Sequence, residues 1–147
     1  MKSALPRSNC PISFSLDILG DKWTLLILRD MIFVGKSSYN EFLQSQEKIA
    51  TNILADRLNI LESQKFVEKL VAHDKRSKFN YILTEKSINL IPVIMELAIW
   101  GLSNFPPGIE PDLIIEYEAD REETIKKYKE LARMRAEKQR KAQSTTL

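Results

Sequence analysis

"LVAHDKRSKFNYILT", residues 70–84, is the stretch whose reading decides the fold. Both ends have strand composition, and in the second half Phe79, Tyr81 and Leu83 alternate with Lys78, Asn80 and Ile82. A period of two is the pattern of a strand with one covered face. Between the ends, Asp74, Lys75, Arg76 and Lys78 put charge at the tip of a hairpin. A charged tip taken alone is usually just a solvated turn, so its meaning rests on its neighbours.

Immediately upstream, "IATNILADRLNILESQKF" (49–66) repeats Ile53, Leu54, Leu58 and Leu61 at helical spacing. On the opposite side, at about 100° per residue, fall Asn52, Ala55, Asp56, Asn59 and Ser63, all small or polar. This predicts an amphipathic helix over about 50–63, with Arg57 placed toward the apolar side and suited to an internal ion pair. Before it, "SSYNEFLQS" (37–45) predicts a short helix, with Ser38 and Glu41 as a capping box. The polar "QEK" (46–48) forms the turn between the two.

Further out, "DKWTLLILRDMIF" (21–33) reads as one mostly buried helix capped by Asp21. "CPISFSLDILG" (10–20) is a helix that Pro11 can open and Gly20 can close. Beyond the hairpin, Thr84 can cap "EKSINLIPVIMELAIWGLSNF" (85–105), where Pro92 implies a kink or a start nearer Leu90. "PPGIEPD" (106–112) breaks the chain before a long charged helix, "EADREETIKKYKELARMRAEKQRKAQ" (118–143). That helix is acidic at its start and basic at its end, as its dipole favours. The division is a flexible arm 1–9, a main domain 10–105 and an extension 106–147. The stripe Ile125, Tyr128, Leu131 and Ala132 is expected to extend a subunit interface.

Composition narrows the function classes. The chain has 147 residues with a net charge of +2, one cysteine, one histidine and four scattered glycines. A multi-His or multi-Cys zinc site and a phosphate-cradling loop are therefore out of reach, and no cofactor, no metal and no catalytic residue is expected. No apolar run is expected to span a bilayer, and the N-terminus lacks a signal-peptide core. The expectation is a cytoplasmic protein with no membrane partner and no enzymatic activity.

The order of elements is that of a winged helix-turn-helix, mainly α with a small β-hairpin wing (α+β). In that arrangement the second helix of the pair enters the major groove of double-stranded DNA. Thr51, Asn52, Ala55 and Asn59 then face base edges, and an Asn can pair bidentately with adenine. Lys75, Arg76 and Lys78, within the wing 73–78, would meet phosphates or the minor groove and make affinity salt-sensitive. The rival reading is a winged-helix protein–protein interaction module that docks through its C-terminal helix without specific DNA binding.

The chain resembles the HxlR-type transcriptional regulators. The resemblance rests on Cys10-Pro11, Gly20, Lys22-Trp23 and "LLILR", on "YNEF", on "ILADRLNILESQKFVEK", and on "YILT" leading to a helix ending "WG". It implies a homodimer built from the N-terminal and post-wing helices, bound to a two-fold operator and acting more often as a repressor. It also implies a phosphate contact at the start of the short helix, carried here by Ser37 and Ser38 in place of the family's arginine. Glu47, in a turn where the family is apolar, would repel phosphate if it pointed outward. Some members sense electrophiles or oxidants through a cysteine near the N-terminus, the place of Cys10, so an oxidant or small-molecule effector is implied. Cys10 has a second reading, as a buried structural thiol near a dimer interface.

Overall fold

The computed structural model describes residues 7–72, 78–105 and 112–144. The chain opens with α1 (Pro11–Leu19), where Pro11 supplies no N–H to the first turn and none is needed, and no residue of α1 is buried. In α2 (Lys22–Arg29) the Asp21 carboxylate accepts the Thr24 N–H at 3.0 Å, the expected cap. The helix does not stay regular to residue 33. It widens into a π turn, Asp30–Val34, closed by Gly35 at φ 81°. Asp30, Met31 and Ile32 within this turn are all buried.

α3 (Tyr39–Leu43) and α4 (Thr51–Ser63) follow, packed through Phe42, Leu54, Leu58 and Leu61. α4 ends in a Schellman turn: Lys65 N–H reaches Glu62 O, Phe66 N–H reaches Leu61 O, and Lys65 sits at φ 61°. β1 (Val67–Val71) and β2 (Phe79–Leu83) pair antiparallel, with Val67 opposite Leu83 and Val71 opposite Phe79. Tyr81 N–H also donates to Ser37 O at 2.7 Å, tying the hairpin to the entry of α3.

The one-covered-face reading of the hairpin is corrected here. Val67, Tyr81 and Leu83 do line the main core, but Ile82 is only 3% exposed on the other face while Phe79 is 39% exposed. The reason is a helix the strand pattern could not announce: Leu70 and Ile82 are covered by Ala136 of the C-terminal segment.

α5 (Glu85–Ile88) and α6 (Ile91–Asn104) are separated at Asn89–Leu90, which leaves Pro92 in the first turn of α6. By length and composition, 85–104 is long and apolar enough to cross a membrane, contrary to the sequence expectation. In the fold, however, Ile88, Ile91 and Met95 belong to the main core. Glu96, midway along, accepts from Tyr117 Oη at 2.8 Å and Arg121 at 2.7 Å.

The long helix expected over 118–143 is α8 (Arg121–Ser144), and a further helix the sequence did not announce, α7 (Asp112–Ala119), precedes it. Asp120 divides them, its carboxylate accepting the Glu123 N–H at 3.1 Å as a cap. α8 turns back across the domain. Tyr128 meets Phe33 edge-on at 5.3 Å, and Ala132 enters the main core. Arg133 pairs with Glu85, Gln139 with Asn80 and Arg140 with Glu68, so α8 runs along the hairpin toward its tip. Of the apolar stripe expected at a subunit interface, Ala132, Ile125 and Tyr128 are thus used inside the chain, packed in or against the core.

Candidate nucleic-acid interface

The geometry of α3, the turn and α4 is held by three polar devices. Ser38 Oγ accepts the Glu41 N–H and donates to Glu41 Oε1 at 2.8 Å, fixing the start of α3. Tyr39 Oη donates to Thr51 O at 2.9 Å, which pins α3 to the first turn of α4. Arg57 donates to Asp21 at 2.8 Å and also pairs with Asp56, joining α4 to the cap of α2. The Arg57 guanidinium holds the Asp21 carboxyl below its ordinary range.

The turn is tied down as firmly. Asp30, 4% exposed, accepts from both Arg29 and Lys36, and Ser45 donates to it as well. Arg29 also grips Glu47 bidentately, at 2.6 and 3.0 Å. Glu47 is therefore not a free outward charge. Arg29 holds its carboxyl down to about 2, against the opposing effect of burial.

These devices leave one face of α4 bare. Thr51, Asn52, Ala55 and Asn59 are all exposed, as read from the sequence, with the Arg57-paired Asp56 among them. Lys78 is exposed at the hairpin, its carbonyl accepting from Ala72 N–H at 2.8 Å. Lys75 and Arg76 lie outside the described residues. Between α3 and β2 runs a groove of about 400 Å³ lined by Ser38, Tyr39, Asn40, Lys78, Phe79 and Tyr81. Ser37 meets the hairpin through its carbonyl, and the Ser38 hydroxyl is already committed to its cap, which leaves little of it for phosphate.

Two exposed polar groups at this surface were missed in the sequence. Asn40 lines the groove, and its position two residues after the cap was the available signal. Lys48 stands just before α4 at φ 53°. Its place in the polar 46–48 turn hides it from the sequence.

Away from this surface, Cys10 is exposed at the start of α1, with its N–H 3.2 Å from Ser8 Oγ. Among the described residues, no group of three or more His, Cys, Asp or Glu could hold a metal.

The family model for the HxlR-like helix-turn-helix matches residues 18–108, from the end of α1 through α6. The chain belongs to the HxlR-like helix-turn-helix family. Like the HxlR-like regulators it resembles, it is a DNA-binding transcriptional regulator and not an enzyme. The HTH-type transcriptional regulator YybR of Bacillus subtilis (strain 168) is 35% identical over 98 residues, covering 67% of this chain and 78% of YybR. The redox regulator HypR in its reduced form superposes with TM-score 0.58 at 33% identity, covering 65% of this chain and 93% of HypR. The reduced transcriptional regulator YodB from B. subtilis gives TM-score 0.54 at 31% identity, covering 69% of this chain and 99% of YodB. α7 and α8 lie beyond the HxlR-like match. The docking-module rival loses its element too, because the apolar stripe of α8 faces this chain's own core.

Proposed function

We propose that the protein acts as a homodimeric repressor on a two-fold operator, in the cytoplasm, with α4 in the major groove and the wing 73–78 on the backbone or minor groove. The observation that carries this reading is the outer face of α4. From Thr51 to Asn59 it presents short polar or small side chains, with Glu62 exposed only near its end, while its leucines are consumed by the core. A helix can reach base edges only with such a face. Asn52 and Asn59 are placed to read bases, Thr51 stands at the helix start, and Lys78, Lys75 and Arg76 supply cations for phosphate. Residues 10–105 form the DNA-binding domain, with 1–9 as an arm and 106–147 as an extension.

Exposed apolar faces on two helices support the homodimer. In α1, Ile12 is 70% exposed and no residue is buried, and Trp100 of α6 is 58% exposed beside Val93 and Leu97. Exposed apolar surface of this kind marks an interface. A dimer built on it would place half-sites about 10 base pairs apart or at a multiple of that. Cys10, exposed at the start of α1, is the sensing residue in this reading, a role supported by the likeness to a redox regulator. With one cysteine in the chain, its oxidation leads to an intersubunit disulfide or a mixed adduct.

The test is fluorescence anisotropy of the full chain with DNA from upstream of its own gene against a scrambled duplex, across a salt series. Tight, sequence-preferring binding that weakens steeply with salt is expected. Diamide should change that affinity in the native protein and leave Cys10→Ser unaffected. Equal affinity for both duplexes would remove the operator reading, and an equal response of Cys10→Ser would remove Cys10 as the sensor.

A further inference from the structure

Among the described arginines, Arg7, Arg29, Arg57, Arg121, Arg133 and Arg140 each have a carboxylate partner. Arg135 does not. Its half-buried guanidinium donates once, from Nη1 to Ile32 O at 2.9 Å, and meets no other acceptor among the described residues. It lies flat against Gly35, where an added Cβ would come within 2.9 Å of Cζ. A cation withdrawn from water without a counter-ion is costly, and a held guanidinium keeps its remaining donors in a fixed fork.

That fork borders a groove of about 380 Å³ between α8, the end of the π turn and β2. The volume is in the range of small-molecule sites. Its walls are largely apolar, from Met31, Ile82, Leu83, Ala132 and Ala136. Lys138 lines the same groove, three residues on from Arg135 and so on the same side of α8. It is exposed and has no ion-pair partner among the described residues. The third cation, Lys36, is already held by Asp30 and Ser45.

We propose that this groove binds an amphipathic organic anion, a carboxylate carried on a small apolar body. Arg135 and Lys138 take the carboxylate, and the alanine and aliphatic walls take the body. A DNA phosphate would satisfy the cations but has no apolar part to fill the floor. The site extends the regulator reading by naming where its effector binds and of what class it is. One wall is α8, beyond the residues shared with the family model, so this chain builds the site with its own addition. The opposite wall includes Ser37, whose carbonyl carries the hairpin through Tyr81 N–H. A ligand there touches the joint between α3 and the wing, and any effect on DNA affinity must be matched by an equal effect of DNA on ligand affinity.

The experiment is calorimetric titration of the full chain with 2-naphthoate and with neutral 2-naphthamide, without DNA. Naphthoate should bind at least about tenfold tighter, as a charge-assisted pair in a partly dry site predicts. Arg135→Gln should remove that preference. Because Arg135 also braces Ile32 O, the partnerless surface residue supplies a second variant, and Lys138→Glu should weaken naphthoate about tenfold with an unchanged melting curve. Equal affinity for the two compounds, or naphthoate binding indifferent to Lys138→Glu, overturns the proposal. So does a third outcome, in which naphthoate does not bind and Lys138→Glu instead weakens DNA binding, assigning the cations to phosphate. Failure of operator binding in the anisotropy assay would leave the DNA-free titration standing, so the two readings fall separately.

Discussion

At the residue scale, function and stability depend on a few polar groups whose neighbours the sequence hides. Ser38 and Asp21 were legible as caps because capping follows a local spacing. Arg57 was legible as an internal partner because its angle on the helix is local too. Glu47 was not, since its partner Arg29 is eighteen residues away and brought near only by the fold. Its carboxyl titrates lower in the folded chain, at about 2 from an ordinary 4.5, so its contribution is complete above about 4.5 and is lost as pH falls toward 2. Glu47→Gln should therefore cost about 1 kcal/mol at pH 7, a value reduced for solvent screening, and progressively less below pH 4.5 in urea melts. A constant difference across that range would place the loss elsewhere. Gly35→Ala should cost about 1–2 kcal/mol, because φ 81° disfavours a side chain and the new Cβ pushes on Arg135. Thermal melts check it. Asn52→Ala should change the preferred operator sequence, whereas the Lys75→Ala, Arg76→Ala pair should weaken all duplexes alike and flatten the salt slope.

At the element scale, α4 was legible almost whole, because its leucine spacing and polar outer face are set by helical periodicity. The hairpin was legible as paired strands and misread in burial. Period-two alternation reports one covered face, and nothing in five residues says that a distant helix covers the other. The π turn had no signal in the pattern either, since it shifts register by a single residue. The end of α4 yields a test. Lys65 holds the left-handed position of a Schellman turn at φ 61°, a conformation that costs a side-chain-bearing residue about 1–2 kcal/mol. Lys65→Gly should recover about 1 kcal/mol and raise the melting temperature, with DNA affinity unaltered.

At the scale of the whole molecule, α8 converts a family-sized domain into a larger one. It covers Leu70 and Ile82, packs on Phe33 and closes the groove that holds Arg135. Removing residues 121–147 should expose that face, lower the melting temperature by several degrees or more and promote aggregation, seen by light scattering during a thermal ramp. The other apolar surface, on α1 and α6, is left open within the chain. Trp100→Glu should shift the protein to monomer in sedimentation velocity while its circular dichroism stays the same. A dimer that survives the change would move the interface off α6.

The sequence by itself determined the helix-turn-helix pair followed by a hairpin, the outward face of α4 and the regulator class, because these rest on spacings within a few residues of one another. Only the tertiary structure decided that the C-terminal stripe faces inward, that Ile82 is buried, that Glu47 is held by Arg29 and that Arg135 lacks a carboxylate among the described residues. Each of these depends on which distant segments come to lie within a few ångströms, and periodicity along the chain carries no record of that distance.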